Sequence, residues 1–150
     1  MAKSLINHIL ILVDGTKSSF QAADYAIDLA RTVGARLTAL AVVDTDTLRQ
    51  LLNVKILVDT EMQEFERELE QSAQNQLDEV RQRAMSRRVK FDAVRRSGNS
   101  EVIVPIELAE RKVDLLVMGA FQSEKVKHDL IARQRQQILD RAVCSIVIVK

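Results

Sequence analysis

The segment Val117-Met118-Gly119-Ala120-Phe121-Gln122-Ser123 ends a short apolar run on a glycine. In a parallel α/β sheet, the turn leaving a strand's carboxyl end is where ligands bind. A glycine lets the backbone approach a ligand closely, and amides in the following turn can hold phosphate. A second such turn, Asp14-Gly15-Thr16, follows the apolar run His8-Ile9-Leu10-Ile11-Leu12-Val13. Its carboxylate can either contact a ligand or order the turn. Lys125, Lys127, Arg133 and Arg135 can add charge for phosphate near Gly119, although such residues on a polar loop and helix are ordinarily solvated.

Other reactive side chains carry less. Cys144 has apolar neighbours and no base close in sequence, and reads as a buried, inert thiol. His8 and His128 lie far apart, outside any metal-binding spacing, so no metal site is expected. Tyr25 and four phenylalanines are too sparse for a nucleic-acid stacking platform. A formal charge of +1 gives no general attraction to nucleic acid or to an anionic membrane.

Periodicity supplies the elements that must position these turns. The run from His8 is continuously apolar, as a strand covered on both faces should be. Ser18 or Ser19 is expected to cap a helix in which Phe20, Ala23, Ile27, Ala30 and Val33 share one face, ended by Gly34. A second strand over 37–43 ends at Asp44, making a right-handed β-α-β unit. The connection 45–60 contains Leu48, Leu51 and Leu52, which suggest a short helical turn, and Asp59 or Thr60 then caps the longest helix. Met62, Phe65, Leu69, Ala73, Leu77, Val80 and Ala84 form its inner stripe, with glutamates early and Arg81, Arg83, Arg87 and Arg88 late, complementing the helix dipole. Those arginines read as a solvated helix end rather than an anion site.

A third, less apolar strand over 89–94 belongs nearer a sheet edge. Ser100 caps the next helix, where Pro105 is expected to kink the first turns or delay them. A strand over 115–118 follows, then a polar stretch, a helix with Ile131, Ile138, Leu139 and Ala142 inward, and the β-branched strand Ser145–Val149. This alternation predicts one doubly wound α/β domain over residues 1–150 with a five-stranded, mostly parallel sheet. Nearly half the residues are apolar and the charges almost cancel, which describes an ordinary globular domain. The apolar run 9–13 is too short for a signal peptide, and no segment approaches the roughly 18 residues of a membrane span. One cysteine makes no internal disulfide and suits a reducing cytoplasm.

Four stretches together resemble a universal stress protein domain along essentially the whole chain. They are Ile11-Leu12-Val13-Asp14-Gly15-Thr16, Ala35-Arg36-Leu37-Thr38-Ala39-Leu40-Ala41-Val42-Val43, Val113-Asp114-Leu115-Leu116-Val117-Met118-Gly119, and Arg141-Ala142-Val143-Cys144-Ser145-Ile146-Val147-Ile148-Val149. The resemblance implies strand order 3-2-1-4-5 in an adenine nucleotide alpha-hydrolase-like fold, and commonly a homodimer joined through the last strand. It also implies a site at the ends of the first and fourth strands where many members hold ATP. Asp14 and Val43 match the adenine side. On the phosphate side Gly119 is kept, but Gln122 replaces a second glycine and Ala132-Arg133 replace a Gly-Ser/Thr pair. Ser100 also stands where a proline is usual after Gly98. The chain is therefore closest to the subclass without the full ATP motif.

Rival sites are absent from the sequence. A receiver domain needs an aspartate ending the third strand, where Ala93-Val94-Arg95-Arg96 stands; neither a dinucleotide fingerprint nor a P-loop is present. No Ser-His-Asp or Cys-His motif is legible, and an enzyme is the least supported class. Two readings remain. The favoured one is a homodimeric regulatory or stress-response module that needs no cofactor and acts through protein contacts. The other is a switch holding ATP or AMP with Asp14, Gly15, Thr16, Val43, Met118, Gly119 and Arg133.

Overall fold

The computed structural model describes residues 5–44, 59–120 and 128–150. Its elements are β1 (His8–Leu12), α1 (Lys17–Val33), β2 (Arg36–Val43), α2 (Asp59–Ser86), β3 (Phe91–Ser97), α3 (Ser100–Glu110), β4 (Leu115–Gly119), α4 (His128–Arg141) and β5 (Ser145–Val149). The expected helical turn around Leu48 and the polar stretch after Ala120 lie outside the described residues, as do the side chains of Asp59 and Thr60.

The five strands form one sheet in the order β3-β2-β1-β4-β5, and all four pairings are parallel. Alternate residues of the central strands serve opposite faces. Ile9, Ile11 and Val117 pack with α1 and α2 around Ala23, Ile27, Leu77 and Val80. Leu10, Leu40, Leu116 and Met118 pack on the other face with Val104, Leu108 and Ile138 of α3 and α4. Each fully buried leucine or isoleucine contributes roughly 1.5–3 kcal/mol relative to exposure. Two-sided burial explains why β1 after His8, and β4, are apolar without interruption. No helix among the described residues is long and apolar enough to cross a membrane.

Local signals placed most elements correctly and some boundaries wrongly. Gly34 ends α1 in the left-handed conformation, at φ 74°. The cap of α1 is Thr16 rather than Ser18 or Ser19: its hydroxyl accepts from the Ser19 amide, and both serines lie inside the helix and buried. Asn99, not Ser100, occupies the cap position of α3. That helix is not delayed by Pro105. A proline there deprives the Glu101 carbonyl of its helical partner, and Arg141 supplies a replacement at 3.0 Å. β3 begins two residues later than expected, because Arg88 takes a left-handed turn (φ 57°) after α2.

The arginines ending α2 are not merely solvated. Arg83 bonds Asp24 of α1 and Glu79, and stacks over Phe20; Arg87 pairs with Asp28 of α1; Arg81 lies over Phe91. They fasten α2 to α1 and to the sheet edge. Within α2, Met62 and Phe65 are only half-buried, whereas Leu69 through Ala84 pack on the sheet. Ile138 is the buried anchor of α4; Ile131 is half-buried.

Candidate functional site

The carboxyl ends of β1, β2 and β4 converge where the strand order reverses between β1 and β4, the switch point at which open α/β sheets form a crevice. Asp14 and Gly15 cross the gap from β1 to α1. Gly15 has φ 83°, and a Cβ there would sit 2.4 Å from Gln76 Nε2 of α2. The Asp14 carboxylate is engaged locally: Oδ1 accepts from the Thr16 amide at 3.0 Å and the Thr16 hydroxyl at 2.6 Å. This Asx-type turn fixes Thr16 as the helix cap, so the same side chains order the turn and rim the crevice.

Gly119 serves close packing rather than an unusual backbone angle. A Cβ would lie 2.6 Å from both the carbonyl carbon and oxygen of Ser18. Ser18 Oγ in turn donates to the Ala120 carbonyl at 3.1 Å, tying the first turn of α1 to the exit of β4. The Met118 side chain is buried in the core, leaving only its backbone toward the crevice. Val43 is buried as well, and its carbonyl accepts from the Gly98 amide at 3.0 Å.

Helix α4 reaches into this region. Arg135 Nη2 donates to the Gly119 carbonyl at 2.6 Å. Burial lowers its guanidinium from the ordinary arginine value, and the Asp14 charge acts against that shift. One residue earlier, Gln134 Nε2 lies 2.8 Å from Asp44 Oδ2 and 2.9 Å from Glu101 Oε2, joining the residue after β2 and the first turn of α3 to the middle of α4. Asp44 also accepts from the Ser100 amide at 3.3 Å. Arg133 is exposed on α4, and Lys125 and Lys127 lie outside the described residues.

The structure thus gathers Asp14, Gly15, Thr16, Met118 and Gly119 in one place, with Val43 at the adjoining strand end. Among the described residues the basic side chain seated against them is Arg135, whereas the sequence reading chooses Arg133 from the four cations for that role. Gln134 had no signal at all, since nothing in its neighbourhood marks a glutamine as a bridge to a distant acid. Asp44 was visible as the acid ending the second strand. Cys144 is only partly buried, and burial pushes its thiol up from the ordinary value, as does Asp114. Among the described residues no cluster of metal-binding side chains is present.

The model of the universal stress protein family matches residues 6–150. The chain belongs to that family. This universal stress protein is 26% identical to one from Methanocaldococcus jannaschii, over 99% of this chain and 84% of the relative. Its fold is similar to that of the universal stress protein UspA from Lactobacillus plantarum, with a TM-score of 0.74 and 20% identity over 99% of this chain and 100% of that one. A family structure from Arabidopsis thaliana, described with AMP bound, superposes with a TM-score of 0.68 at 12% identity over 96% of this chain and 91% of that one.

Proposed function

We propose that this universal stress protein is a homodimeric regulatory module of the stress response that works through protein contacts, without catalysis and without ATP held by a glycine-rich loop. The observation that carries the reading is Arg135, whose guanidinium occupies the Gly119 carbonyl beside Asp14. The sequence acts in the same direction: Gln122 stands where a second glycine would be and Ala132-Arg133 where a Gly-Ser/Thr pair would be, so the left-handed turns and capping hydroxyl that present amides to a phosphate are not supplied. The dimer reading rests on β5, an edge strand bearing the partly exposed Ile148, which a second copy would cover. A reducing cytoplasm remains the expected compartment.

A second reading is supported by the convergence of Asp14 and Val43 at the crevice and by the AMP-bound description of the Arabidopsis relative. In it, Asp14, Gly15, Thr16, Val43, Met118 and Gly119 line an ATP or AMP site, and Arg133 or Arg135 supplies phosphate charge. Calorimetric titration of the nucleotide-stripped protein with Mg-ATP, ADP and AMP separates the two. Silence with all three ligands is expected. Saturable binding that is lost in Asp14→Ala or Arg135→Ala overturns the first reading in favour of the second. Sedimentation equilibrium tests the dimer, and a monomer at micromolar concentration removes it.

A further inference from the structure

A buried polar chain lies at the opposite, amino-terminal end of the sheet, away from the crevice. His8 opens β1 and is 4% exposed; Thr38 on β2 is fully buried. His8 Nδ1 lies 3.0 Å from the Arg111 carbonyl, and His8 Nε2 lies 2.7 Å from Thr38 Oγ1. Thr38 Oγ1 lies 2.7 Å from Asp92 Oδ1 on β3. The chain therefore joins β1, β2, β3 and the turn after α3.

Counting hydrogens along it gives an unequal sum. Both ends are acceptors only, a backbone carbonyl and a carboxylate. Three contacts need three hydrogens. Thr38 supplies one, and a neutral imidazole supplies one more. The third hydrogen comes either from a second proton on His8 or from a protonated Asp92. Asp92 accepts at both carboxylate oxygens, Oδ1 from Thr38 and Oδ2 from Arg111 at 3.3 Å, so neither oxygen is placed as the donor. When all three contacts are made at once, the missing hydrogen therefore comes from the imidazole.

We propose that His8, Thr38 and Asp92 form a proton-gated latch across β1, β2 and β3, closed at every contact when the imidazole carries two hydrogens and obliged to open one when it carries one. With a neutral ring, either Thr38 turns its hydroxyl to His8 and releases Asp92, or Nδ1 loses the Arg111 carbonyl. The charged surroundings are mixed. Arg36 on β2 and Arg111 oppose the second proton, and Asp92 favours it. Asp114, ahead of β4, binds the His8 and Asn7 amides through Oδ2. Glu107 holds Arg111 from behind and also pairs with Arg96 farther along β3, while Lys90 and Lys112 nearby are exposed.

Burial is the largest influence on His8 and sets its affinity for the second proton below the ordinary value of 6.5. The Arg111 carbonyl and Asp92 act against burial without outweighing it, so the latch closes on the acid side of that value. The folded form disfavours the imidazolium relative to the unfolded chain. Stability linked to His8 is then complete above about pH 6.5 and declines as pH falls from there through the folded-state value.

Nuclear magnetic resonance titration of the full chain tests this, with His128→Gln distinguishing the two histidines. The Asp92 carboxyl carbon and the Thr38 resonances are expected to move with the His8 midpoint. Asp92→Asn supplies the missing hydrogen from its amide and removes the carboxylate charge. In that variant the His8 midpoint is expected to fall by about one pH unit, and Thr38 to stop following it. A His8 ring that titrates without moving Asp92 or Thr38 overturns the latch. So does a ring that stays neutral throughout the folded range, or a midpoint in Asp92→Asn equal to or above that of the wild type.

Discussion

Gly119→Ala places a single methyl group where the structure has no room for it. The added carbon would meet Ser18 at 2.6 Å from both its carbonyl carbon and oxygen and 2.9 Å from its hydroxyl, whereas ordinary contacts begin near 3.4 Å. Two of the three atoms are backbone, and that backbone is fixed by the Thr16 cap and by the Ser18 bond to Ala120. The first turn of α1 must retreat from β4, or the end of β4 must bend. Overpacking of this kind costs about 1–3 kcal/mol. In a chain of 150 residues, about 2 kcal/mol corresponds to a melting temperature lower by roughly 4–8 °C. Urea and thermal denaturation of the ligand-free protein measure it. Ser18→Ala combined with Gly119→Ala is expected not to restore stability, because the hydroxyl is the lesser obstacle. An alanine variant as stable as wild type would refute the packing argument and return Gly119 to a role in ligand approach alone.

Thr16→Ala removes the cap of α1 and a donor to Asp14, and is expected to cost about 1 kcal/mol by the same denaturation assay. Glu107→Ala strips the shared carboxylate from Arg96 and Arg111; both guanidiniums reach water, so the expected loss is about 1–3 kcal/mol in urea titration rather than that of a sealed ion pair. Cys144 holds its proton above the ordinary thiol range because of burial, so alkylation of the native protein at pH 8 should run slower than in denaturant. The same raised value means that stability linked to Cys144 is complete below about pH 9 and is lost as pH rises through the folded-state value.

The sequence alone determined the alternation of elements, the faces of α1 and α2, and the turns Asp14-Gly15-Thr16 and Gly119-Ala120. These are legible because two-sided burial demands uninterrupted apolar strands, and because helix faces repeat with the pitch of the helix. It also supplied family membership, carried by four separated stretches and then met by a match over residues 6–150. Cap identity was misread at Thr16 and Asn99 because several adjacent residues could serve, and only the backbone angles select among them.

The tertiary structure decided which distant side chains meet. Arg135 rather than exposed Arg133 faces the β4 exit, because the two lie on different sides of α4 once Ile138 is anchored in the core. Gln134 finds Asp44 across 90 positions of sequence, and Arg83 finds Asp24 across 59. Gly119 proved to be needed for its lack of a side chain against Ser18, a reason invisible without the packing of α1 on β4. His8, dismissed in sequence for want of a metal-binding partner, sits at the head of a chain reaching Thr38 and Asp92. Periodicity records which face of an element is buried. It does not record which polar groups that burial presses together, since that depends on register between strands far apart in the chain.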